Sequence, residues 1–297
     1  MKPNENNFCG GNFQDWLEVM LYDKCNGKCS WCVEKDGYRP NHFLPIDKLI
    51  EKIIETKKQN VILLGGEPTL HPGIGRIIKT LTRSDINVYV TTNGSLLSPK
   101  FVTENLTSLK GINISIHDFI LKENYKITGI DLDLCKLQSS ISLLHLTDTT
   151  VRLNCNLIRN HIDSYRNIIA YTNFAKDIKA DGVRFAELKN DKENWVNMMD
   201  IFDGEFGVNN EPFGLGCVRD VTINDIPVNL RQMCGLQTHM RKTPCNPEQI
   251  NKQVMYYDGN IYDGWQKKET VSSKEVKKIV SRLKNEKPIP VSQGCQY

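Results

Sequence analysis

Apolar and polar positions alternate with two different periods along the first two thirds of the chain. Short apolar runs of strand length recur, and longer segments between them place apolar residues every three or four positions. The short runs predict strands at 16–22, 60–64, 87–91, 111–116, 150–157 and 182–186. The longer segments predict helices at 46–57, 74–82, 99–109, 132–145 and 164–178. This alternation predicts an α/β fold with a parallel sheet and right-handed crossovers.

The pattern changes in the last third of the chain. Residues 217–234 predict a β-hairpin around an Asn-Asp turn, and residues 253–262 predict a second one around an Asp-Gly turn. A basic amphipathic helix is predicted after residue 271. We therefore expect four parts: a polar segment at 1–14, the α/β domain at 15–189, a bridging segment at 190–216, and an extension at 217–297 that ends in this helix.

Composition narrows the class of protein. The 297 residues, 39% hydrophobic and 25% charged, are enough to bury a large core. A net charge of +3 is close to neutral, so nucleic acid is not expected as a partner. No apolar stretch approaches the ~20 residues of a membrane span. The chain has ten cysteines and no export signal, which favours the cytoplasm, where cysteines serve as metal ligands or core residues.

Three cysteines follow the first predicted strand in a C-x3-C-x2-C run: Cys25, Cys29 and Cys32. A structural zinc ion wants four protein ligands, and so does a fully ligated [4Fe–4S] cluster. Three thiolates on one loop suit a cubane that leaves one iron open for an external ligand. A zinc site completed by His42, or a disulfide-bearing loop, is the alternative.

The second and third predicted strands end in glycine and polar residues. The second ends in Gly65-Gly66-Glu67-Pro68, and the third ends near Thr91 and Asn93. Glycines let a ligand lie against the backbone, and the strand end places Glu67 at the C-terminal edge of a sheet. Taken alone, the Gly-Gly-Glu-Pro segment is also typical of a tight turn.

The cysteine run and the glycine segment, in this order, resemble the radical SAM superfamily over roughly residues 15–189. The resemblance implies a partial (β/α)6 barrel with a [4Fe–4S] cluster on the three cysteines. It implies that S-adenosylmethionine chelates the open iron and that Gly65, Gly66 and Glu67 contact its methionine amino group. Trp31, just before the third cysteine, resembles the aromatic residue that the family places beside the adenine.

Later strand ends supply further candidates. Ser115 and His117 share a face of the fourth strand, and Arg152, Asn154 and Asn156 share a face of the fifth. The cofactor carboxylate or ribose would satisfy such polar side chains. The expected cofactor-binding residues are therefore Trp31, Gly65, Gly66, Glu67, Thr91, Asn93, Ser115, Arg152 and Asn154.

The catalytic residue stays unassigned, with three candidates near strand ends: His117, Cys155 and Glu187. Each has an ordinary structural interpretation. His117 suits a hydrogen-bonded core or rim position. Cys155 suits a buried small hydrophobe and would donate a hydrogen atom only if its thiol turned inward. Glu187 suits an ion pair with Arg184.

Cysteines flank the first predicted hairpin, and this pattern resembles the twitch or SPASM-type extensions of some radical SAM enzymes. Cys217, Cys234 and Cys245 would ligate an auxiliary [4Fe–4S] cluster, with Cys295 as a fourth ligand. The hairpin turn lacks the usual glycine, and Trp265 stands where fuller SPASM domains often have a cysteine. Free cytoplasmic thiols are the alternative.

The resemblance implies that the chain reductively cleaves S-adenosylmethionine to a 5′-deoxyadenosyl radical, which abstracts hydrogen from a substrate. A flavodoxin- or ferredoxin-like electron donor is then an expected partner. The substrate is expected to be a peptide or a small molecule. Two alternatives stay open: a cluster-bearing redox or binding protein without radical chemistry, and a radical SAM enzyme that modifies RNA or a nucleoside.

Overall fold

The computed structural model of the chain describes residues 15–189, 191–202, 218–232 and 253–266. The strands are β1 (Trp16–Tyr22), β2 (Asn60–Gly65), β3 (Asn87–Thr92), β4 (Gly111–Ser115), β5 (Thr150–Asn156), β6 (Gly182–Ala186), β7 (Val218–Ile223), β8 (Ile226–Arg231), β9 (Gln253–Tyr256) and β10 (Ile261–Asp263). The helices are α1 (Ile46–Glu55), α2 (Ile74–Arg83), α3 (Pro99–Asn105), α4 (Leu121–Thr128), α5 (Leu134–His145), α6 (Tyr165–Asp177) and α7 (Met198–Phe202). Short 3-10 helices follow the cysteines and β2, at Val33–Asp36 and Pro68–Leu70.

The strands form one sheet in the order β10-β9-β1-β2-β3-β4-β5-β6-β8-β7. Neighbours from β9 through β8 pair in parallel, and only the outermost strands, β10 and β7, pair antiparallel. Parallel strands bring their C-terminal ends to one edge, where the loops that carry a site meet. The predicted α/β fold with a mostly parallel sheet is therefore confirmed.

The two faces of this sheet differ in chemistry. Alternate strand residues, such as Leu63, Val90 and Leu153, pack with apolar residues of the helices in a continuous core. The opposite face, called the inner face below, is apolar on β9 and β2 and on β1 apart from Glu18, and it is polar from the end of β3 to β8. Strand alternation therefore directs polar side chains away from the core along half of the sheet.

Helix ends follow local capping chemistry. The side chains of Ser98, Asp133 and Ser164 each accept a backbone N–H from the first turn of α3, α5 and α6. The cap at Asp133 explains why α5 begins at Leu134, two residues later than predicted. Helix α4 was not predicted, because its buried residues, Asn124 and Thr128, are polar and give no apolar period.

Both predicted hairpins are present, β7–β8 and β9–β10. Asn224 and Asp225 have φ of 52° and 59° in the first turn, and Gly259 has φ of 79° in the second. Neither hairpin stands apart from the domain. Strand β8 extends the sheet beyond β6, and β9 extends it beyond β1. An isolated two-stranded hairpin is only marginally stable in water, so pairing with the larger sheet stabilises both hairpins.

Several predicted parts lie outside the described residues: the segment 1–14, most of the bridging segment, and the C-terminal helix. Residues 191–202 of the bridging segment are described, and they contain α7. Among the described helices, none has the length and apolar character needed to cross a membrane.

Candidate active site

The three cysteines lie on a loop that leaves the C-terminal end of β1, called the cysteine loop below (residues 23–32). All three are free thiols, with Cys25 exposed and Cys29 and Cys32 partly buried. The Gly27 N–H donates to Cys25 Sγ at 3.2 Å, and Asn93 Nδ2 lies 3.9 Å from the same sulfur. The protein therefore directs N–H groups at a sulfur that would ligate a metal.

The paired glycines fix the position of the cysteine loop. The Gly66 N–H donates to the Tyr22 carbonyl at 2.7 Å, and the Glu67 N–H donates to the Lys24 carbonyl at 2.8 Å. A Cβ on Gly65, whose φ is 136°, would lie 2.5 Å from Tyr22 O, and one on Gly66 would lie 2.3 Å from Lys24 O. The sequence pattern predicts a ligand against these glycines; in the structure the chain's own backbone makes the close approach.

The Glu67 carboxylate is buried and accepts four hydrogen bonds. Its Oε1 accepts from the Thr69 N–H at 3.0 Å, the Thr69 hydroxyl at 2.5 Å and the Thr92 hydroxyl at 2.6 Å. Its Oε2 accepts from the Asn93 N–H at 2.7 Å. Glu67 therefore joins the end of β2 to the end of β3. Thr69 and Thr92 were not predicted, although each lies within two residues of a predicted site residue.

A chain of amide hydrogen bonds joins the cysteine loop to the turn after β3. Asn93 Nδ2 donates to Asn26 Oδ1 at 2.8 Å, and Asn26 Nδ2 donates to the Ser95 hydroxyl at 2.9 Å. The Ser95 N–H donates to Asn93 Oδ1 at 2.9 Å, which closes the ring of hydrogen bonds. The loop is thus held by the ends of two neighbouring strands. Asn26 and Ser95 were missed because their partners are distant in sequence.

The surroundings of Cys25 and Cys29 disfavour the thiolate form unless a cation neutralises it. Partial desolvation raises the pKa of Cys25, and burial raises the pKa of Cys29 to about 11, with the nearby charges of Cys32 and Cys25 adding to the effect on Cys29. Protons therefore stay on Cys25 and Cys29 at neutral pH unless a metal replaces them. This donor set fits an iron–sulfur cluster.

No three His, Cys, Asp or Glu side chains of the described ranges converge on a single metal ion. A cubane does not require such convergence, because each thiolate binds a different iron.

Trp31 and His117 form a buried pair beside the cysteines. Their ring centroids lie 5.4 Å apart at an interplanar angle of 88°. His117 Nδ1 accepts the Asn156 N–H at 3.1 Å, and burial lowers the pKa of His117 to about 4. The ring is therefore neutral at physiological pH. This arrangement suits a residue that positions Trp31 better than a proton donor.

Two segments that the pattern did not reveal hold the other side of the cysteine loop. At the end of α4, the Thr128 carbonyl accepts the Lys28 N–H at 2.6 Å. In the segment after β6, Asp191 accepts the Ser30 hydroxyl at 3.4 Å, and Trp195 packs against the cluster that contains Trp31.

The inner face brings several predicted residues together. Strand register places Ser115 opposite Asn154, and Asn154 opposite Arg184. One row lower, Thr91 lies opposite Asn113, and its hydroxyl accepts from Asn113 Nδ2 at 3.1 Å. Arg152 lies opposite Asn113 in that same row. The predicted common face of Arg152, Asn154 and Asn156 is therefore present.

The other two catalytic candidates lie away from this face. Cys155 is buried in the core between sheet and helices, because it alternates with Asn154 and Asn156. Its thiol therefore lies on the helix side of the sheet and not on the inner face. Glu187 is buried after β6 and accepts the Met198 N–H at 2.9 Å, which ties the start of α7 to the sheet.

The predicted ligands of an auxiliary cluster all lie outside the described residues: Cys217, Cys234, Cys245 and Cys295. That cluster stays a prediction.

Comparison with known proteins bears on this geometry. Residues 19–119 match the sequence profile of the radical SAM superfamily. A GTP 3′,8-cyclase of Clostridium perfringens is 33% identical over 186 residues, which cover 59% of this chain and 55% of that protein. An S-adenosylmethionine-dependent nucleotide dehydratase of Lacinutrix mariniflava is 27% identical over 202 residues, covering 64% and 42%. The chain thus spans about half the length of the curated relatives it matches.

The fold has a counterpart among solved structures. Streptococcus suis SuiB, in a crystal structure with S-adenosylmethionine bound, superposes with a TM-score of 0.59 and 16% identity, covering 84% of this chain and 60% of that one. This likeness concerns the fold alone, and the similarity in sequence to the radical SAM superfamily covers residues 19–119.

Replacing Gly66 with alanine tests the backbone contact. The added Cβ would lie 2.3 Å from the Lys24 carbonyl and push the cysteine loop away. We expect the iron content after anaerobic reconstitution to fall to less than half of the wild-type value, which should be about four per cluster. Gly37→Ala is the control, because its Cβ would meet only the Glu34 side chain closely, at 3.2 Å. Wild-type iron content in Gly66→Ala would contradict this role.

Replacing Glu67 with glutamine tests the carboxylate. The new amide group would face an N–H or hydroxyl donor that now binds oxygen, leaving buried donors unsatisfied. We expect the free energy of unfolding of the cluster-free protein to fall by about 2 kcal/mol in urea titrations. Glu104→Gln, on the exposed side of α3, should change it little. An equal loss of unfolding free energy in Glu67→Gln and Glu104→Gln would contradict the stabilising role of the Glu67 hydrogen bonds.

The raised pKa of Cys29 predicts its reactivity. Iodoacetamide alkylates the thiolate, whose fraction at pH 8 is small when the pKa is about 11. In the reduced, cluster-free protein, alkylation of Cys29 should keep accelerating up to at least about pH 10. Peptide mass spectrometry measures the alkylation rate of Cys29 and compares it with that of the exposed Cys135. A rate for Cys29 that levels off near pH 8 would show that burial does not raise its pKa.

Proposed function

We propose that this chain is a radical SAM enzyme that binds its cluster through Cys25, Cys29 and Cys32. The observation that carries the proposal is the attachment of the cysteine loop to the ends of β2 and β3 through Gly66 and Glu67. When bound, the cluster and S-adenosylmethionine supply a one-electron cleavage that yields methionine and a 5′-deoxyadenosyl radical able to take hydrogen from a substrate.

The residues around the cysteine loop would form the binding site for the cofactor. Trp31, which packs against His117, would face the adenine. The apolar side chains of Trp31, Ile158 and Leu188 would exclude water from the adenine. The strand-end residues would form the rest of the cofactor site: Gly65, Gly66, Glu67, Thr91, Asn93, Ser115 and Asn154. The main role of Glu67 would be to hold the strand ends in place, since its carboxylate already accepts four hydrogen bonds from the protein.

A nucleotide-like small molecule is the proposed substrate. Two relatives are named for nucleotide reactions, as a GTP cyclase and a nucleotide dehydratase. The polar half of the inner face agrees with a polar, compact substrate. A peptide substrate has less support, because the likeness to SuiB concerns the fold alone.

An acidic flavodoxin- or ferredoxin-like protein is the proposed electron donor. Lys24, Lys28 and Lys35 are exposed on and beside the cysteine loop. Their positive charge would attract an acidic donor to the side of the molecule where the cluster is expected.

Product analysis tests the proposal. The reconstituted protein, incubated anaerobically with dithionite and S-adenosylmethionine, should form 5′-deoxyadenosine and methionine, measured by liquid chromatography and mass spectrometry. A variant with Cys25, Cys29 and Cys32 all changed to alanine should form none above background. Cys135→Ala, which changes an exposed thiol on α5, should match the wild type.

Two outcomes would overturn the proposal. One is product formation by the triple variant at the wild-type rate. The other is an iron-loaded wild-type protein that forms no 5′-deoxyadenosine with or without nucleotides. The second outcome would favour the alternative of a cluster-bearing redox or binding protein without radical chemistry.

A further inference from the structure

We propose that the side-chain amide of Asn93 tunes the reduction potential of the cluster by donating a hydrogen bond to the Cys25 sulfur. Asn26, Asn93 and Ser95, whose hydrogen bonds orient this amide, are called the amide ring below. The inference rests on the proposed function, since it concerns the cluster on which that function depends. It gives Asn93 a role toward the cluster, whereas the sequence predicts only a contact with S-adenosylmethionine.

The amide nitrogen of Asn93 lies between two acceptors. Asn93 Nδ2 is 2.8 Å from Asn26 Oδ1 and 3.9 Å from Cys25 Sγ. A carboxamide nitrogen carries two hydrogens, so it can serve both acceptors at once. A distance of 3.9 Å is long for a contact between N–H and sulfur. A thiolate is a stronger acceptor than a thiol, so this contact should shorten when the sulfur ligates iron.

The orientation of the Asn93 amide follows from its neighbours. The Ser95 backbone N–H, which can only donate, lies 2.9 Å from Asn93 Oδ1. The amide atom that faces Ser95 must therefore be the oxygen, and the nitrogen lies on the side of Cys25. Asn26 agrees with this assignment. Its Nδ2 donates to the Ser95 hydroxyl at 2.9 Å, which leaves its Oδ1 to accept from Asn93.

The backbone that carries Asn93 is also held in place. The Asn93 N–H donates to Glu67 Oε2 at 2.7 Å. On either side of it, the Thr92 hydroxyl donates to Glu67 Oε1 at 2.6 Å and accepts the Gly94 N–H at 3.1 Å. Both ends of the Asn93 side chain are thus fixed by the protein. The donor is ordered before any cluster binds, which makes its effect on the sulfur specific.

Cys25 receives a second N–H group from its own loop. The Gly27 N–H donates to Cys25 Sγ at 3.2 Å, and it belongs to the backbone of the cysteine loop. Asn93 instead follows β3, a different strand. The Asn93 donor can therefore be removed by substitution while the backbone of the loop and its Gly27 hydrogen bond stay in place.

A hydrogen bond to a ligating sulfur affects the two oxidation states unequally. One-electron reduction adds a negative charge that the sulfurs share, and an N–H group directed at a sulfur stabilises that charge. Hydrogen bonds to the sulfurs are among the factors that set the potentials of iron–sulfur clusters. The Asn93 amide should therefore raise the reduction potential and ease electron transfer from a low-potential donor.

Potentiometric titration of the reconstituted full chain, followed by electron paramagnetic resonance without S-adenosylmethionine, tests the proposal. Asn93→Leu removes the donor and should lower the equilibrium constant for one-electron reduction about fivefold. Asn93→Asp keeps an acceptor for Ser95 but places a carboxylate oxygen beside the sulfur. It should lower the constant by more than tenfold, which is 59 mV for one electron. Iron content should stay at the wild-type value in both variants, because Gly66 and Glu67 still hold the loop.

Two control variants separate the donor from its setting. Ser95→Ala removes the hydroxyl that orients Asn26 but leaves the Asn93 amide, and it should change the reduction constant by less than about twofold. Asn87→Leu removes an exposed asparagine at the other end of β3, about 20 Å away, and should leave the constant unchanged. Asn93→Asp is close to asparagine in size, so it provides the measurement even if leucine displaces the loop.

Unchanged reduction potentials in both Asn93 variants would refute the proposal, whatever their melting temperatures. Unchanged potentials together with weaker binding of S-adenosylmethionine would also refute it. That result would assign the amide to the cofactor, as the sequence predicts. A wild-type protein whose cluster is reduced but which forms no 5′-deoxyadenosine would refute the proposed function instead. The shift of the potential in the Asn93 variants would then still support the tuning role.

Discussion

The rest of the site depends on the close contact between the cysteine loop and the end of β2. Two backbone hydrogen bonds, from Gly66 to Tyr22 and from Glu67 to Lys24, hold the loop at a distance that no Cβ permits. The Glu67 carboxylate binds the end of β3 at the same time. The positions of the thiols are therefore set by contacts within the protein, and a cofactor would meet a site that is already formed. Such preorganisation lowers the cost of binding.

Strand register sets the second property of the site, its polarity. The alternation that buries Leu153 and Phe185 against the helices turns Arg152 and Arg184 to the inner face. A shift of either strand by one residue would bury an arginine in the apolar core at a large energetic cost. The same register thus seals the core and distributes charge on the face that a substrate would meet.

The sequence predicts the strands well because their apolar runs are continuous, and it predicts both hairpins from their turn residues. It does not predict α4, because the buried side chains of that helix are polar. The role of Gly66 is missed for a different reason, since its partner Lys24 lies far away in sequence and the contact is between backbones. Asn26 and Asp191 are missed likewise, because hydrogen bonds between distant loops leave no periodic signal. The order of the motifs still points to Cys25 and Glu67.

Electron paramagnetic resonance of the reduced, reconstituted protein tests most directly whether the cysteine loop presents an open iron to S-adenosylmethionine. Spectra are recorded with and without the cofactor, for wild type and for the variant that lacks all three thiols of the loop. We predict a cluster signal whose g-values change when S-adenosylmethionine is added and which the variant lacks. A wild-type spectrum that is the same with and without the cofactor would contradict the assignment of the site.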